Sequence, residues 1–394
     1  MRRTTILLIA LATTAFGPTP TVLAGGTGSA VTGVAPLGMA DAWTALADGS
    51  AAVFVNPAGL AGTATSSLEA GVTRITMTEE LSTGDGTSYA SETDAILPAL
   101  FAADTMQSKT WVFGLGLAYP EIAAIDWADG SPLDKVLADF QQRTLDLRAT
   151  LAYRIGPSFS LAAGVDYYRK SVTAERDDAG SSGRWRFSGD GDTLGFHAAA
   201  KLAIGAYVSV GLAYRSPASI DTAGDVSLLD AAGETVAEDP ASWTTEIPAQ
   251  ARLGLAFILD KTMALEADVE WTDWSSHEPL LIAPDSAGSE AVFDSGAAWD
   301  DTLAWRIGVA WHADTSWTLR AGYFIDPSPV PGGVLDPVSP GGDQRGFAFG
   351  FGYREGSGRI DVGYRLADSE SRETPEGSFS SSRQSLAASV TFLF

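Results

Sequence analysis

The 394-residue chain contains no cysteine and only three histidines, His197, His277 and His312. The first absence excludes disulfides, thiolate metal sites and cysteine nucleophiles together. The second, with the histidines far apart, argues against a histidine-rich metal centre, and no cofactor is expected. Basic residues are also scarce, 25 Lys and Arg against 49 Asp and Glu, for a formal charge of −24. No Lys/Arg cluster forms a phosphate-neutralising face, so nucleic acid is not an expected partner. Beyond the N-terminus no run of ~18 apolar residues occurs, which excludes membrane-spanning helices. Yet 45% of the residues are hydrophobic, so the chain has enough apolar surface to fold.

At the N-terminus, Arg2 and Arg3 precede the apolar run Ile6 to Leu11, and Val22-Leu23-Ala24 offers a small-residue cleavage site. Gly17, Pro18 and Pro20 cut the run short of the ~20 residues that an anchor helix needs. Residues 1–24 read as a secretory signal peptide and Gly25 as the mature start.

Period-two alternation dominates the remainder. Leu386, Ala388, Val390, Phe392 and Phe394 share one face of a strand whose other face carries Ser385, Ala387, Ser389 and Thr391. The same pattern recurs in Trp111/Phe113/Leu115/Leu117, Leu145/Leu147/Leu151/Tyr153, Trp317/Leu319/Tyr323 and Phe347/Phe349/Phe351/Tyr353. Leu265 to Trp271 decides which way the faces point. Glu266, Asp268 and Glu270 alternate there with apolar residues, and three carboxylates on one strand face cannot enter an ordinary sandwich core without large desolvation costs. Arg148, Arg306, Arg320 and Arg365 lie on the matching face of other strands and can pair with them. A polar interior under an apolar exterior is the pattern of a β-barrel in lipid, where the closed sheet satisfies every backbone group.

Connections alternate between short ones, such as Asp104 to Ser108 and Gly156 to Ser158, and long ones at Asp126 to Asp139, Asp177 to Gly183, Ser219 to Glu246, Ser276 to Asp300, Pro327 to Asp343 and Ala367 to Ser381. Short periplasmic turns and long extracellular loops are expected of such barrels, and about fourteen strands are counted. The expected fold is all-β, a transmembrane antiparallel barrel over residues 66–394. A propeller, suggested by Trp271-Thr272-Asp273, would repeat every ~40 to 45 residues, and no such period is present.

Residues 25–65 fall outside the alternation. They are rich in Gly and Ala, with a helix-like stretch from Gly38 to Ala47 and the run Val53 to Leu60. Short side chains let backbone pack closely, so this segment is expected to fold into the lumen as a plug.

Several motifs together carry a family resemblance. Asn56-Pro57-Ala58 closes the Gly-rich N-terminus; Ile247-Pro248 leads into Arg252-Leu253-Gly254-Leu255; Glu270-Trp271-Thr272-Asp273-Trp274-Ser275, Trp305-Arg306-Ile307-Gly308, Trp317 to Tyr323, Asp343-Gln344-Arg345 and the terminal Phe394 follow in order. In this order the chain resembles the FadL family of outer-membrane transporters for long-chain fatty acids and aromatic hydrocarbons. The resemblance implies a fourteen-stranded barrel with an N-terminal hatch and passive, ligand-gated uptake of hydrophobic molecules. It also implies exit through a break in the wall of the third strand, a Gram-negative outer-membrane location and no enzymatic activity. By that resemblance Asn56, Pro57 and Ala58 are gate residues.

The third strand is read as ending Gly114-Leu115-Gly116-Leu117-Ala118-Tyr119-Pro120, and both Gly116 and Pro120 weaken ladder pairing, which places the wall opening there. Apolar cargo needs continuous apolar contact. Candidate contacts are Met39, Trp43, Leu46, Val53 and Phe54 in the hatch, with Ile122, Ile125, Trp127, Leu133, Val136, Leu137 and Phe140 in a loop segment of helical spacing. No carboxylate clamp is assigned to Arg148, Arg306, Arg320 or Arg345, since each has acidic neighbours to neutralise. Asp221, Asp225, Asp230 and Glu234 fit no calcium-loop spacing, and no metal is expected.

Two other functions remain open. A general diffusion porin would lack the plug. A barrel hydrolase would need a base such as His277 near Asp273 and Ser275, without any Gly-x-Ser-x-Gly elbow. Expected partners are a hydrophobic ligand, outer-membrane lipid and lipopolysaccharide, and the barrel assembly machinery through Phe394, with the chain a monomer.

Overall fold

The computed structural model describes residues 33–108, 110–260, 262–286, 289–295 and 298–394. The expected signal peptide and the first residues of the expected plug lie outside them.

One antiparallel sheet closes on itself. Its strands are β1 (Ser67–Ser82), β2 (Ser88–Asp104), β3 (Trp111–Asp126), β4 (Asp139–Ile155), β5 (Phe159–Asp177), β6 (Arg184–Ile204), β7 (Val208–Arg215), β8 (Ala218–Leu229), β9 (Thr235–Ile247), β10 (Gln250–Ile258), β11 (Met263–Thr272), the short β12 (Leu281–Pro284) and β13 (Phe293–Asp294), β14 (Thr302–His312), β15 (Trp317–Asp326), β16 (Gln344–Glu355), β17 (Gly358–Ser369), β18 (Arg372–Thr374) and β19 (Gly377–Leu393). β7 and β8 are two halves of one wall strand, and so are β9 and β10. Ser216-Pro217 and Pro248-Ala249 interrupt them, because proline supplies no ladder donor. Counted this way the wall has fourteen strands, and β1 pairs with β19 from Ser67↔Leu393 to Ser82↔Ser378 to close it.

The alternating faces point as the carboxylates of β11 require. Leu68, Val72, Leu147, Leu212, Phe347 and Phe392 are exposed on the outside. Glu266, Asp268, Glu270, Arg306, Arg320 and Arg365 are buried on the inside. Near the short-turn end, Trp111 packs on Tyr153 at 4.3 Å and Trp317 on Tyr353 at 4.4 Å, as in an aromatic girdle at a membrane interface.

Four sequence expectations need correction. Ser219 to Glu246 is not a loop. β8 and β9 occupy it and turn at Asp230, whose carboxylate accepts from the backbone N–H groups of Ala232 and Glu234. Its alternation was hidden because the outer face there carries Asp221 and Asp225 instead of apolar residues, although Ile220 and Val226 still point in. β3 does not end at Pro120 but continues to Asp126 past a register shift between Ala118 and Glu121. The helical spacing of Ile122 to Phe140 is a coincidence of strand ends. Ile122 and Ile125 belong to β3 and Phe140 to β4, leaving one turn of helix at Asp134–Leu137, with Val136 exposed. Gly38 to Ala47 is a chain of turns rather than a helix; a single helical turn, Val34–Leu37, precedes it.

Residues 33–61 are almost wholly buried inside the barrel, so the N-terminal segment is a plug. Inward-facing glycines let it approach the wall. A Cβ on Gly211 would lie 2.1 Å from the Thr44 carbonyl oxygen, and one on Gly322 would lie 2.3 Å from the Met39 carbonyl carbon.

Candidate functional site: the plugged lumen and its apolar chamber

The lumen has two zones. Around the plug runs a belt of charge. Asp268 accepts hydrogen bonds from the backbone N–H of Trp43 at 3.1 Å and of Thr44 at 3.0 Å, and from the Thr44 hydroxyl at 2.7 Å. Glu266 accepts from the backbone N–H groups of Ala45 and Leu46, the latter at 2.9 Å. Thus two of the carboxylates that orient the barrel serve as anchors for plug backbone that would otherwise lack partners. The third, Glu270, pairs with Arg252 and, at 3.2 Å, with Arg306. Lys201 donates to the Ala47 carbonyl at 2.6 Å and Ser209 to the Ala45 carbonyl at 2.9 Å. Arg148 pairs with Asp146 at 2.9 Å, Arg320 with Asp361 at 2.9 Å, and Arg365 with Asp41 of the plug.

Asn56-Pro57-Ala58 is the tie of this segment. The Asn56 amide donates to the carbonyls of Thr44 at 2.7 Å and Ala200 at 3.2 Å, its side-chain oxygen caps the Ala58 N–H at 3.0 Å, and Ser160 donates to the Ala58 carbonyl at 2.8 Å. Pro57 opens the 3-10 turn Pro57–Gly62, where its missing N–H costs nothing.

Towards the long-loop end the lumen becomes apolar. Ile75, Met77, Leu97, Ile122, Leu137, Phe140, Val172, Phe187, Val226 and Trp243 form one buried apolar cluster there, the apolar chamber. Ile282, Val292 and Phe293 come from the segment between β11 and β14, which folds inward. The expectation that ionised residues line the cavity holds for the plug level; here apolar side chains dominate, with buried Lys170, its Nζ 4.9 Å from the centre of the Trp243 ring, and buried Glu121 among them. Beside this chamber lies a smaller cluster of Leu81, Ile125, Trp127, Leu133 and Phe379.

The sequence-derived contacts consequently fall in three places. Ile122, Leu137 and Phe140 are in the chamber and Ile125 and Leu133 in the adjoining cluster. Val53 and Phe54 pack on the β3 glycines, where a Cβ on Gly116 would lie 2.5 Å from Phe54. Met39, Trp43 and Leu46 face a vestibule of about 260 Å³ at the short-turn end, with Asp48, His312 and Arg320. Sequence reading missed most of the chamber. Val172, Phe187, Val226 and Trp243 sit on strand faces that are polar lower down, so no single strand advertised the change.

The wall itself is incomplete beside the chamber. β2 and β3 pair only from Leu100↔Leu117 to Asp104↔Phe113, although both strands continue well beyond. Past that point the β3 edge from Ala118 to Ile125 has no ladder to β2, and the Asp126 N–H donates to the Ser91 hydroxyl at 2.9 Å where the strands meet again. Pro120 is tolerated in mid-strand because this edge needs no donor on the β2 side.

His277 is not part of a hydrolytic arrangement. It is buried and stacked on Trp299 at 4.2 Å, while Ser275 donates to Asp273 at 3.1 Å independently of it. Burial, reinforced by the Lys170 ammonium, pushes its imidazole down to about 3. A different histidine chain was not foreseen. His197 lies 2.7 Å from both Asp166 and Thr150, all buried at the plug level, with Arg148 also holding Asp166 at 3.2 Å. Among the described residues no group of three His, Asp or Glu gathers as metal ligands.

Residues 18–391 match the family model described as outer membrane protein transport protein (OMPP1/FadL/TodX). The chain belongs to this family. It is therefore an outer-membrane barrel of the FadL/TodX group of channels for hydrophobic compounds. Among solved structures, a FadL homologue from Pseudomonas aeruginosa superposes with a TM-score of 0.83 at 21% identity, covering 93% of this chain and 99% of that one. The toluene transporter TodX of P. putida gives 0.72 at 20% identity over 88% and 94%, and the toluene transporter TbuX of Ralstonia pickettii 0.69 at 14% over 88% and 94%. At such identities these likenesses speak for the fold. No curated protein matched the chain by sequence.

Proposed function

We propose that this channel takes hydrophobic molecules passively from the outside at its long-loop end into the apolar chamber, and releases them sideways through the gap between β2 and β3. One observation carries the reading: the chamber residues Leu97 and Ile122 belong to the two strands whose pairing fails. Cargo there would exchange one apolar surrounding for another without crossing the charged belt. Each methylene kept from water is worth ~0.8 kcal/mol, so an apolar path to the bilayer is the low-barrier one.

In this reading residues 25–65 are the hatch, Asn56-Pro57-Ala58 its gating tie, Gly116 and Pro120 flank the lateral opening, and Ile122, Leu137 and Phe140 touch cargo. Gly116 serves the hatch as well, by making room for Phe54. Nothing in this route calls for a catalytic step. A general diffusion porin fits less well, because the plug fills the barrel at the level of the belt. The N-terminal leader would direct export, Phe394 would be recognised by the barrel assembly machinery, the outward Arg74 and Arg169 would face lipopolysaccharide, and the chain would act as a monomer.

Long-chain fatty acids and aromatic hydrocarbons, the cargo classes of the resemblance, are separated by comparing uptake of each in cells with and without the protein. Ala123→Trp, which places an indole in the apolar cluster beside Ile122, should abolish uptake of the true cargo while leaving the barrel folded. Undiminished uptake in that variant removes the chamber from the route.

A further inference from the structure

A polar patch interrupts the apolar cluster on the inward face of β3, β4 and β5. Glu121, Thr144 and Lys170 lie side by side there, since the registers set Glu121 opposite Thr144 and Thr144 opposite Lys170. Gln142 is the next inward residue of β4, between Ala123 and Val172 of the apolar cluster. Directly opposed residues on one sheet face have Cβ atoms ~4.5–5.5 Å apart and diagonal ones ~7–8 Å apart, so these side chains form one patch. Trp243 of β9 meets it, with its ring centre 4.9 Å from Lys170 Nζ.

The patch is buried, and much of its hydrogen-bonding capacity is unused. Gln142 is 1% exposed, and neither its amide nitrogen nor its amide oxygen has a partner. Glu121 accepts from the Thr144 hydroxyl at 3.4 Å, while its Oε1 has only the Arg215 guanidinium, 3.9 Å away. The hydroxyls of Thr222, opposite Trp243 in the ladder, and of Thr245, next along the Trp243 face, are buried and also without partners. At the plug level Asp268 and Glu266 spend their oxygens on plug backbone. Among the described residues nothing does the same for Gln142. A buried amide without partners costs stability that an apolar side chain of its size would not. The charges, by contrast, balance: Lys170 and Glu121 act on each other, and Gln142, Thr222 and Thr245 carry none.

We propose that Glu121, Gln142 and Lys170 form a head-group site, and that the cargo is an amphiphile whose uncharged polar head offers a donor and an acceptor together, as a primary amide or an alcohol does. The Gln142 amide pairs with such a head through both of its free atoms while the tail lies against Phe140 and Val172. A hydrocarbon leaves these polar atoms bare, and a carboxylate brings an unbalanced charge beside Glu121 at a desolvation cost. The patch also stands at the exit, because Glu121 lies in the stretch of β3 that has lost its ladder to β2. This assignment rests on the transport reading and adds the class of cargo to it.

Retention of radiolabelled octanamide, octane and octanoate by the protein in lipid nanodiscs, corrected for empty nanodiscs, tests it at neutral pH, where octanoate is ionised. Octanamide should bind at least about tenfold more tightly than either of the others, the yield of one to two buried hydrogen bonds. Gln142→Leu keeps the bulk and removes both unpartnered atoms, so the ratio of octanamide to octane affinity should fall close to one. Gln142→Met takes its place should the first variant not fold, as judged by heat-modifiable gel mobility. Octane or octanoate held as tightly as octanamide by the wild type overturns the head-group site and leaves the transport route standing. A preference for octanamide that survives the Gln142 variants does the same. Retention of none of the three probes removes the chamber from the route, and the head-group site with it.

Discussion

The plug level and the chamber above it are walled by the same strands and hold opposite contents. On β5, Asp166 sits in the charged belt, while Val172 and Ala174 belong to the apolar cluster a few residues along the same inward face. On β1 the inward face passes from Glu69 beside the plug to Ile75 and Met77 in the chamber. The difference teaches that the interior of this barrel is matched to what occupies it. Where backbone of the plug must be held, the wall offers carboxylates and cations; beyond it the inward face is dominated by hydrocarbon, with Lys170 and Glu121 set among it.

The comparison breaks most visibly at its polar end. Asp268→Ala leaves the N–H groups of Trp43 and Thr44 and the Thr44 hydroxyl without their shared acceptor. Orphaned buried donors cost ~1–3 kcal/mol each, so the closed-to-open ratio of the plug should fall by roughly a hundredfold or more. Raised bilayer conductance without loss of the folded barrel is the expected outcome, and wild-type conductance would show that the belt does not hold the plug. Gly211→Val presses on the Thr44 carbonyl, and overpacking of this kind costs ~1–3 kcal/mol; the same conductance assay should report a smaller opening.

The outer face gives an intermediate effect. Leu147→Lys puts a charge among residues that face lipid, expected to lower barrel stability by ~2–4 kcal/mol near the bilayer midplane. Denaturant unfolding in lipid vesicles measures it, and a neutral result would place that face in water.

The smallest effect sharpens the boundary at the long-loop end. With its folded pKa pushed down to about 3 by burial and by Lys170, His277 favours the folded loop fully above the free-histidine value near 6.5. That contribution falls as pH drops from there towards 3, because the opened loop takes up the proton and the stacked ring does not. Fluorescence of Trp274 and Trp299, which pack with His277, should change over that window and cease to do so in His277→Phe. A pH-independent signal in the wild type would remove His277 as the cause.

Much of this architecture was legible in the sequence because a strand writes its two faces alternately. Leu386 to Phe394 and Leu265 to Trp271 each declared which side meets lipid, and together they oriented the barrel. The order of motifs from Asn56-Pro57-Ala58 to Phe394 pointed to the family. The zoning of the lumen was less legible, since it appears only when Phe140, Phe187, Trp243 and Phe293, distant in sequence, are brought to one level by register. Pro120 misled for a related reason. A proline ends a strand that needs donors on both edges, and β3 has lost its β2 partner there. Likewise Asp221 and Asp225 resembled loop residues because β8 exposes polar residues on its outer face.

The account turns on hydrophobic cargo lodging in the apolar chamber and not in the charged half. A crystal structure of the protein soaked with a brominated alkane tests this directly through the anomalous signal of bromine. The account predicts a bromine site among Ile122, Phe140 and Trp243, within the lumen beside the gap between β2 and β3. Bromine found solely on the outer face of the barrel, or among Arg252, Glu270 and Arg365, would contradict it.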